Sequence, residues 1–236
     1  MILERIRGPQ VALMAGTLAL GLLADARAGI EAQLLIGAAF WAVLLHLCGI
    51  VTPAERRQLV ACLAIATAGE LFLSLGWGVY AYRLENVPMF VPPGHVLMYL
   101  LAALLARRMS AAPTGAVAAA AALYAAGATA TGFDTFALPL ALAFGVAMLA
   151  MPRERGLLAA TLVLSLALEL YGTWLGIWTW RSEVPYAGLS TTNPPALSGA
   201  LYVVRDALTA PLAALLARGV PPPIPARVGL DQASST

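Results

Sequence analysis

The 236-residue chain contains no lysine: all 14 of its basic residues are arginine. That absence excludes a retinal or pyridoxal Schiff base, a P-loop and a kinase active site, each of which needs a lysine amine. Charge of either sign is scarce. Only 11% of residues are charged, 14 basic against 12 acidic, where a soluble domain carries roughly 25%. Apolar residues make up 61% of the chain and the mean hydropathy is +0.82. This balance excludes a soluble enzyme, a disordered chain and a nucleic-acid binder. Cysteine is nearly absent as well. Cys48 and Cys62 cannot make a disulfide framework or complete a zinc site, and both lie in apolar runs, so they read as small core residues.

What the chain does contain is long apolar runs. A membrane helix needs about 20 mostly apolar residues. Eight candidate spans cover 9–26, 33–51, 58–80, 95–106, 114–131, 135–151, 157–178 and 196–217, the fourth expected to start nearer Phe90. The expected fold is therefore an all-α polytopic membrane helix bundle. The fifth span is mostly alanine, whose small size suits close helix contact and predicts a place inside the bundle. Arginines, an apolar run and Ala24-Asp25-Ala26 also resemble a cleavable signal peptide, whose loss would leave seven helices in unchanged orientation. Beyond Arg218, Val220-Pro221-Pro222-Pro223-Ile224-Pro225 cannot continue a helix and predicts an extended, then disordered, tail over 219–236.

The arginines set an orientation. Arg5, Arg7, Arg56, Arg57, Arg107, Arg108, Arg153, Arg155, Arg218 and Arg227 fall on one side; Arg27, Arg83 and Arg181 fall on the other. The positive-inside rule then places both termini in the cytoplasm of a cell inner membrane.

The chain also repeats itself. Glu70, Ser74, Gly78, Tyr80, Tyr82 and Arg83 are matched by Glu169, Thr173, Gly176, Trp178, Trp180 and Arg181. The gap from glutamate to glycine is one residue longer in the first copy. Val87-Pro88, Pro92-Pro93 and Tyr99 correspond to Val184-Pro185, Pro194-Pro195 and Tyr202. Four spans separate the copies, which predicts two parallel four-helix repeats, 1–110 and 111–218, about a pseudo-two-fold axis along the membrane normal.

Four ionisable residues sit inside spans: Glu70, Glu169, Arg205 and Asp206. Each lies about 10 residues below the outer boundary, roughly 15 Å at the helical rise, which is near the bilayer midplane. Each charge there costs on the order of 2.5–3.5 kcal/mol, so the four are expected to face one another in the bundle interior as the catalytic or transport group. Neighbouring residues on a helix point about 100° apart, which makes Arg205 and Asp206 poor partners for each other and directs the guanidinium to the glutamates. Three carboxylates against one guanidinium predict that one glutamate keeps its proton. The alternative is an ion pair that only locks three helices together.

Arg205 and Asp206 align with Ala102 and Ala103, and His95 aligns with Leu197, so the site is expected to be asymmetric. His46 and His95 should differ in height by about 20 Å, too far to share a haem iron. His46 reads as a core residue, and His95 either caps the site or faces water; neither a metal nor a cofactor is expected. The candidate substrate-binding residues are Ser74, Trp77, Tyr80, Tyr82, His95 and Tyr99 in the first half. In the second half they are Thr173, Trp174, Trp178, Trp180, Asn193 and Tyr202. The aromatic members predict a vestibule open to the outer leaflet, suited to apolar ligands and able to stabilise cations.

Glycine, a β-branched residue, alternating aromatics and Val-Pro, with an acidic residue upstream in the same helix, resemble polytopic carotenoid-biosynthesis membrane proteins, namely carotenoid hydratases and the membrane lycopene-cyclase domain. The pattern is carried by Glu70, Gly78, Tyr80, Tyr82, Val87 and Pro88, and again by Glu169, Gly176, Trp178, Trp180, Val184 and Pro185. The Pro-x-Glu-Glu segment of the cyclases has no counterpart. The resemblance implies an enzyme acting on an isoprenoid or carotenoid-type lipid, with Glu70 or Glu169 donating a proton to a double bond and Arg205 and Asp206 tuning it. The expected partners are membrane lipid and a hydrophobic small-molecule substrate. A proton-coupled carrier using the same carboxylates and a structural membrane protein remain open beside that reading.

Overall fold

A computed structural model describes residues 4–218; the proline-rich tail expected over 219–236 lies outside the described residues. Eight α-helices follow one another: α1 Gly8–Asp25, α2 Ile30–Ile50, α3 Pro53–Glu70, α4 Val91–Ala106, α5 Ala111–Ala130, α6 Ala137–Ala150, α7 Arg155–Trp174 and α8 Gly199–Arg218. α3 is started by a reciprocal cap, in which the Glu55 amide donates to Thr52 Oγ1 and the Thr52 amide to Glu55 Oε2, with Pro53 at the first helical position. It runs on from Glu70 into a π-helical segment, Leu71–Trp77.

Among the described residues six segments are long and apolar enough to cross a membrane: α1, α2, α3 with its π-helical extension, α5, α7 and α8. Six such helices mark a multi-pass membrane protein. α4 and α6 are apolar but shorter, at 16 and 14 residues. The outward surface is apolar too: Leu20, Leu35, Leu123, Leu142 and Leu149 are all exposed, as a lipid-facing surface requires.

The centre is a four-helix group. α3 packs against α8 and α4 against α7, while α3–α4 and α7–α8 close the ring. The α1–α2 hairpin lies against α4, and the α5–α6 hairpin against α7 and α8. α5 is therefore peripheral, contrary to the expectation of an interior helix. Only Thr114, Ala121, Ala125 and Ala128 of it are buried, because one face of small alanines is all that its neighbours need.

Two helix ends differ from the expected spans in a way that matters. α3 with its extension stops at Trp77 and α7 at Trp174, before the alternating aromatics. Gly78 and Gly176 follow with φ of 73° and 71°, a left-handed turn that glycine adopts without steric cost. The chain then reverses into short strands, β1 Tyr80–Tyr82 and β2 Trp178–Trp180, which pair antiparallel with Ala81 opposite Thr179. The ladder continues at both ends, from the Arg83 amide to the Ile177 carbonyl and from the Arg181 amide to the Val79 carbonyl. A second small ribbon, β3 Glu183–Val184 with β4 Leu189–Ser190, tops the loop before α8.

Candidate functional site

Strand alternation decides where the aromatics go. Tyr80 and Tyr82 point to one face of the ribbon, as do Trp178 and Trp180, with Ala81 and Thr179 on the other. All four rings are buried, and their polar tips reach the two intramembrane glutamates. Glu70 Oε2 accepts from the hydroxyls of Tyr80 at 2.7 Å and Tyr82 at 2.6 Å. Glu169 Oε2 accepts from the indoles of Trp178 at 2.7 Å and Trp180 at 2.9 Å, and Glu169 Oε1 accepts from the Tyr202 hydroxyl at 2.9 Å. The expected vestibule open to the outer leaflet is not what these four rings form. They fold back over the carboxylates as a buried cage, because Gly78 and Gly176 turn the chain inward.

The third donor to Glu70 is His95, with Nε2 at 2.8 Å from Oε1. Its other nitrogen, Nδ1, lies 2.9 Å from Arg205 Nη1. A guanidinium nitrogen can only donate, so Nδ1 must accept and carries no proton. The imidazole is then neutral, its one proton is on Nε2, and Glu70 is the acceptor. The His95 ring is stacked on Tyr202 at 4.7 Å and 6°, and Arg205 Cζ sits 5.2 Å from the Tyr202 centroid, so one phenol ring braces both.

Arg205 and Asp206 were expected to avoid each other. They pair directly, with Nε at 2.8 Å and Nη2 at 2.6 Å from Asp206 Oδ1. Divergent Cβ directions constrain where side chains leave the helix, but the long arginine stem bends back. Asp206 Oδ2 accepts from Thr161 on α7 at 2.6 Å. The sole arginine within the bundle thus balances Asp206 and reaches Glu70 only through His95. Glu169 has no ionic partner among the described residues and is held by three neutral donors.

Two cavities share this cluster as their common wall. An inner chamber of about 40 Å³ lies toward α1, α2 and α4, walled by Leu18, Leu22, Phe40, Phe90 and Gly94. It has room for about three water molecules. A larger cavity of about 460 Å³ lies between α3 with its π-helical extension and α8. Glu70, Tyr80, His95, Glu169 and Tyr202 line both; Tyr82 and Trp178 line only the chamber, and Trp77, Trp180 and Arg205 only the larger cavity.

Five other expected site residues are elsewhere. Ser74 is half-buried on the π-helical segment and lines neither cavity. Thr173 spends its hydroxyl on the Glu169 carbonyl of its own helix. Trp174 is 78% exposed and stacks on Tyr171. Asn193 accepts from the Trp180 amide at 2.9 Å and so positions β2. Tyr99, one helical turn beyond His95, is buried without lining either cavity. Asp206 also lines neither cavity and acts on the site through Arg205. His46, expected in the core, is exposed on α2, and Cys48 is only half-buried, whereas Cys62 is fully buried. Among the described residues no cluster of three potential metal ligands occurs.

Some residues of the site had no mark in the sequence. Leu18, Phe40 and Phe90 come from distant segments and look like any apolar residue. Thr161 did have one: Thr161, Ser165 and Glu169 recur every four residues, a polar ladder on one face of an apolar helix. A separate buried group ties the loops down: Gln33 donates to Asp25 Oδ1 at 2.9 Å, Asn86 donates to Gln33 at 2.7 Å, and Arg83 donates to the Asp25 and Ala28 carbonyls.

No family model, no curated protein and no solved structure matches this chain. The function is therefore argued from the geometry alone.

Proposed function

We propose that the chain is an integral membrane enzyme that protonates a carbon–carbon double bond of a hydrophobic isoprenoid or carotenoid-type lipid. The observation that carries the reading is the pair of buried carboxyl groups, each with three hydrogen-bond partners, in the wall between a water-sized chamber and a lipid-sized cavity. The two carboxylates have different roles. Glu70 faces two phenols and an imidazole Nε2–H, so it works as the anion. Glu169 is the acid. Indole nitrogens only donate, so a proton on Glu169 cannot sit on Oε2 and belongs on Oε1, where Tyr202 Oη can accept it.

In the reaction, the π electrons of the double bond take the proton from Glu169 Oε1 and form a C–H bond. The cation left on the more substituted carbon is stabilised by the faces of Tyr80, Trp180 and Tyr202 and by the Glu70 carboxylate. Either a water molecule adds and returns its proton to Glu169, or a second double bond adds and a carbon-bound proton goes back to Glu169. Both routes restore the starting enzyme. Arg205, held by Asp206, keeps His95 in the tautomer that donates to Glu70.

The same proposal includes the architecture: eight spans in two parallel repeats, with both termini cytoplasmic in a cell inner membrane. Support comes from matched details. Gly78 and Gly176 share one unusual conformation, β1 and β2 pair about their own midpoints, and the α3–α8 contact is mirrored by α4–α7. The extra residue between Glu70 and Gly78 falls in the π-helical segment, and a single inserted residue is what a π turn accommodates.

The test is expression in a carotenoid-accumulating bacterium with pigments separated by chromatography. A changed profile is expected, and Glu169→Gln should abolish the change at equal protein level. The glutamine oxygen can still take both indoles and its amide can donate to Tyr202, so the cage survives while the proton is lost. An unaltered profile from well-expressed wild-type protein overturns the reading.

A further inference from the structure

We propose that the 460 Å³ cavity is a lateral port that takes an olefinic isoprenoid chain directly from the bilayer and ends it against Glu70 and Glu169. The identity of the occupant rests on the acid-catalysis reading above; the port itself rests on its walls. Its rim is formed by Phe72, Val204 and Leu208, at 59%, 37% and 51% exposure, on the two spanning segments that flank it. A mouth on spanning helices opens into hydrocarbon, not water. The volume falls within the roughly 300–1,000 Å³ of small-molecule sites.

Small residues hollow the groove. Ala66, Ala68 and Gly69 line it from α3, and a Cβ at Gly69 would meet nothing within 4 Å, so the space beside it is real. The π-helical turn supplies Phe72, Leu73 and Trp77 as the outer edge. At the inner end the walls are rings, Tyr80, Trp180 and Tyr202, whose faces suit a chain with double bonds better than a saturated one. Polar groups meet the groove only there, and Arg205 is taken by Asp206 and His95. An anionic head would find no free counter-charge, because Arg205 is already paired, whereas a hydrocarbon end needs none.

The port is tested with the full chain reconstituted in bilayers of phosphatidylcholine brominated on its acyl chains, since bromine quenches indole fluorescence on contact. Trp41→Phe and Trp174→Phe form the background, leaving Trp77 and Trp180 on the groove and Trp178 in the inner chamber. The expected result is strong quenching, lost in two plugged variants, Gly69→Phe and Ala68→Phe, and retained in Gly16→Phe. That last site lines a separate cavity between α1 and α2, and its Cβ also meets nothing within 4 Å. Squalene added at a few mole per cent should relieve the quenching beyond simple dilution of the bromines, and squalane, saturated on the same skeleton, should relieve less. Equal quenching in plugged and unplugged protein, or no relief by squalene, overturns the port. Equal relief by squalane overturns the olefinic occupant. The readout needs no turnover and Glu169→Gln should behave as wild type, so quenching without chemistry fails the enzyme reading alone, and chemistry without quenching fails the port alone.

Discussion

A single carbon added at Gly172 should open the cage around Glu169. A Cβ there would stand 2.0, 2.2 and 2.5 Å from three carbons of the Trp178 ring. Carbon atoms in contact sit about 3.5–4.0 Å apart, so the indole must withdraw by roughly 1.5 Å. Trp178 Nε1 is 2.7 Å from Glu169 Oε2, and a shift of that size ends the bond. Losing one hydrogen bond to a neutral carboxyl group that keeps Trp180 costs about 0.5–1.5 kcal/mol. Overpacking a tight contact adds about 1–3 kcal/mol. Gly172→Ala should therefore destabilise by about 1.5–4.5 kcal/mol, a fall in Tm of roughly 3–18 °C for a chain of this size. The assay is thermal unfolding of detergent-solubilised protein, followed by near-UV circular dichroism. Trp178→Tyr in the same chain should recover part of the loss, because a tyrosine ring is smaller than an indole; the first half has Tyr80 at the position of Trp178 and the larger Leu73 at that of Gly172. The coupling should be about 1 kcal/mol or more in a double-mutant cycle. Stability within about 0.5 kcal/mol of wild type, or a double variant no better than the sum of the singles, would refute the reasoning.

Other substitutions probe different contacts. Gly199→Ala would place a Cβ 2.3 Å from Ser165 Oγ, 2.8 Å from the Leu162 carbonyl and 3.1 Å from Leu162 Cα. Much of that clash is backbone, so Ser165→Ala should not rescue the lower Tm; rescue would show that α7 and α8 can move apart. Asp206→Ala leaves Arg205 buried without its counter-ion and should cost about 3–5 kcal/mol. Asp206→Asn keeps one oxygen for Arg205, and its amide can donate to the Thr161 hydroxyl, so it should cost less than alanine although the charge is lost; stability within about 0.5 kcal/mol of wild type for both variants in denaturation would argue against the pairing. Glu169→Gln should leave Tm near wild type while ending product formation; a large fall in Tm would favour a purely structural carboxylate.

The legible part of the site was its list of ionic residues. Glu70, Glu169, His95 and Arg205 stand out because charge inside an apolar helix needs a partner, and they do converge. The recurring pattern of glutamate, hydroxyl, glycine and alternating aromatics was legible as sequence, and its one-residue offset falls in the π-helical segment. The pairing was not legible. A helical wheel gives the direction of the Cα–Cβ bond, and for arginine three further carbons decide where the charge ends. The vestibule failed for a related reason. Alternating aromatics near a helix end look the same whether they face lipid headgroups or fold inward, and only the left-handed Gly78 and Gly176 distinguish the two.

By itself the sequence determined that the chain suits a membrane, that most of it lies in long apolar runs, and that charge inside them would be rare and concentrated; it did not separate the six segments long enough to cross from the two shorter apolar helices. Those follow from composition and run length, because a bilayer leaves no other home for a chain with 61% apolar and 11% charged residues. Only the tertiary structure decided how that charge is divided: Arg205 to Asp206, His95 to Glu70, and Glu169 to two indoles and a phenol. The physical reason is reach. Hydrogen bonds act over less than about 3.2 Å between groups that come from four helices and a ribbon, and sequence spacing does not encode distances across them.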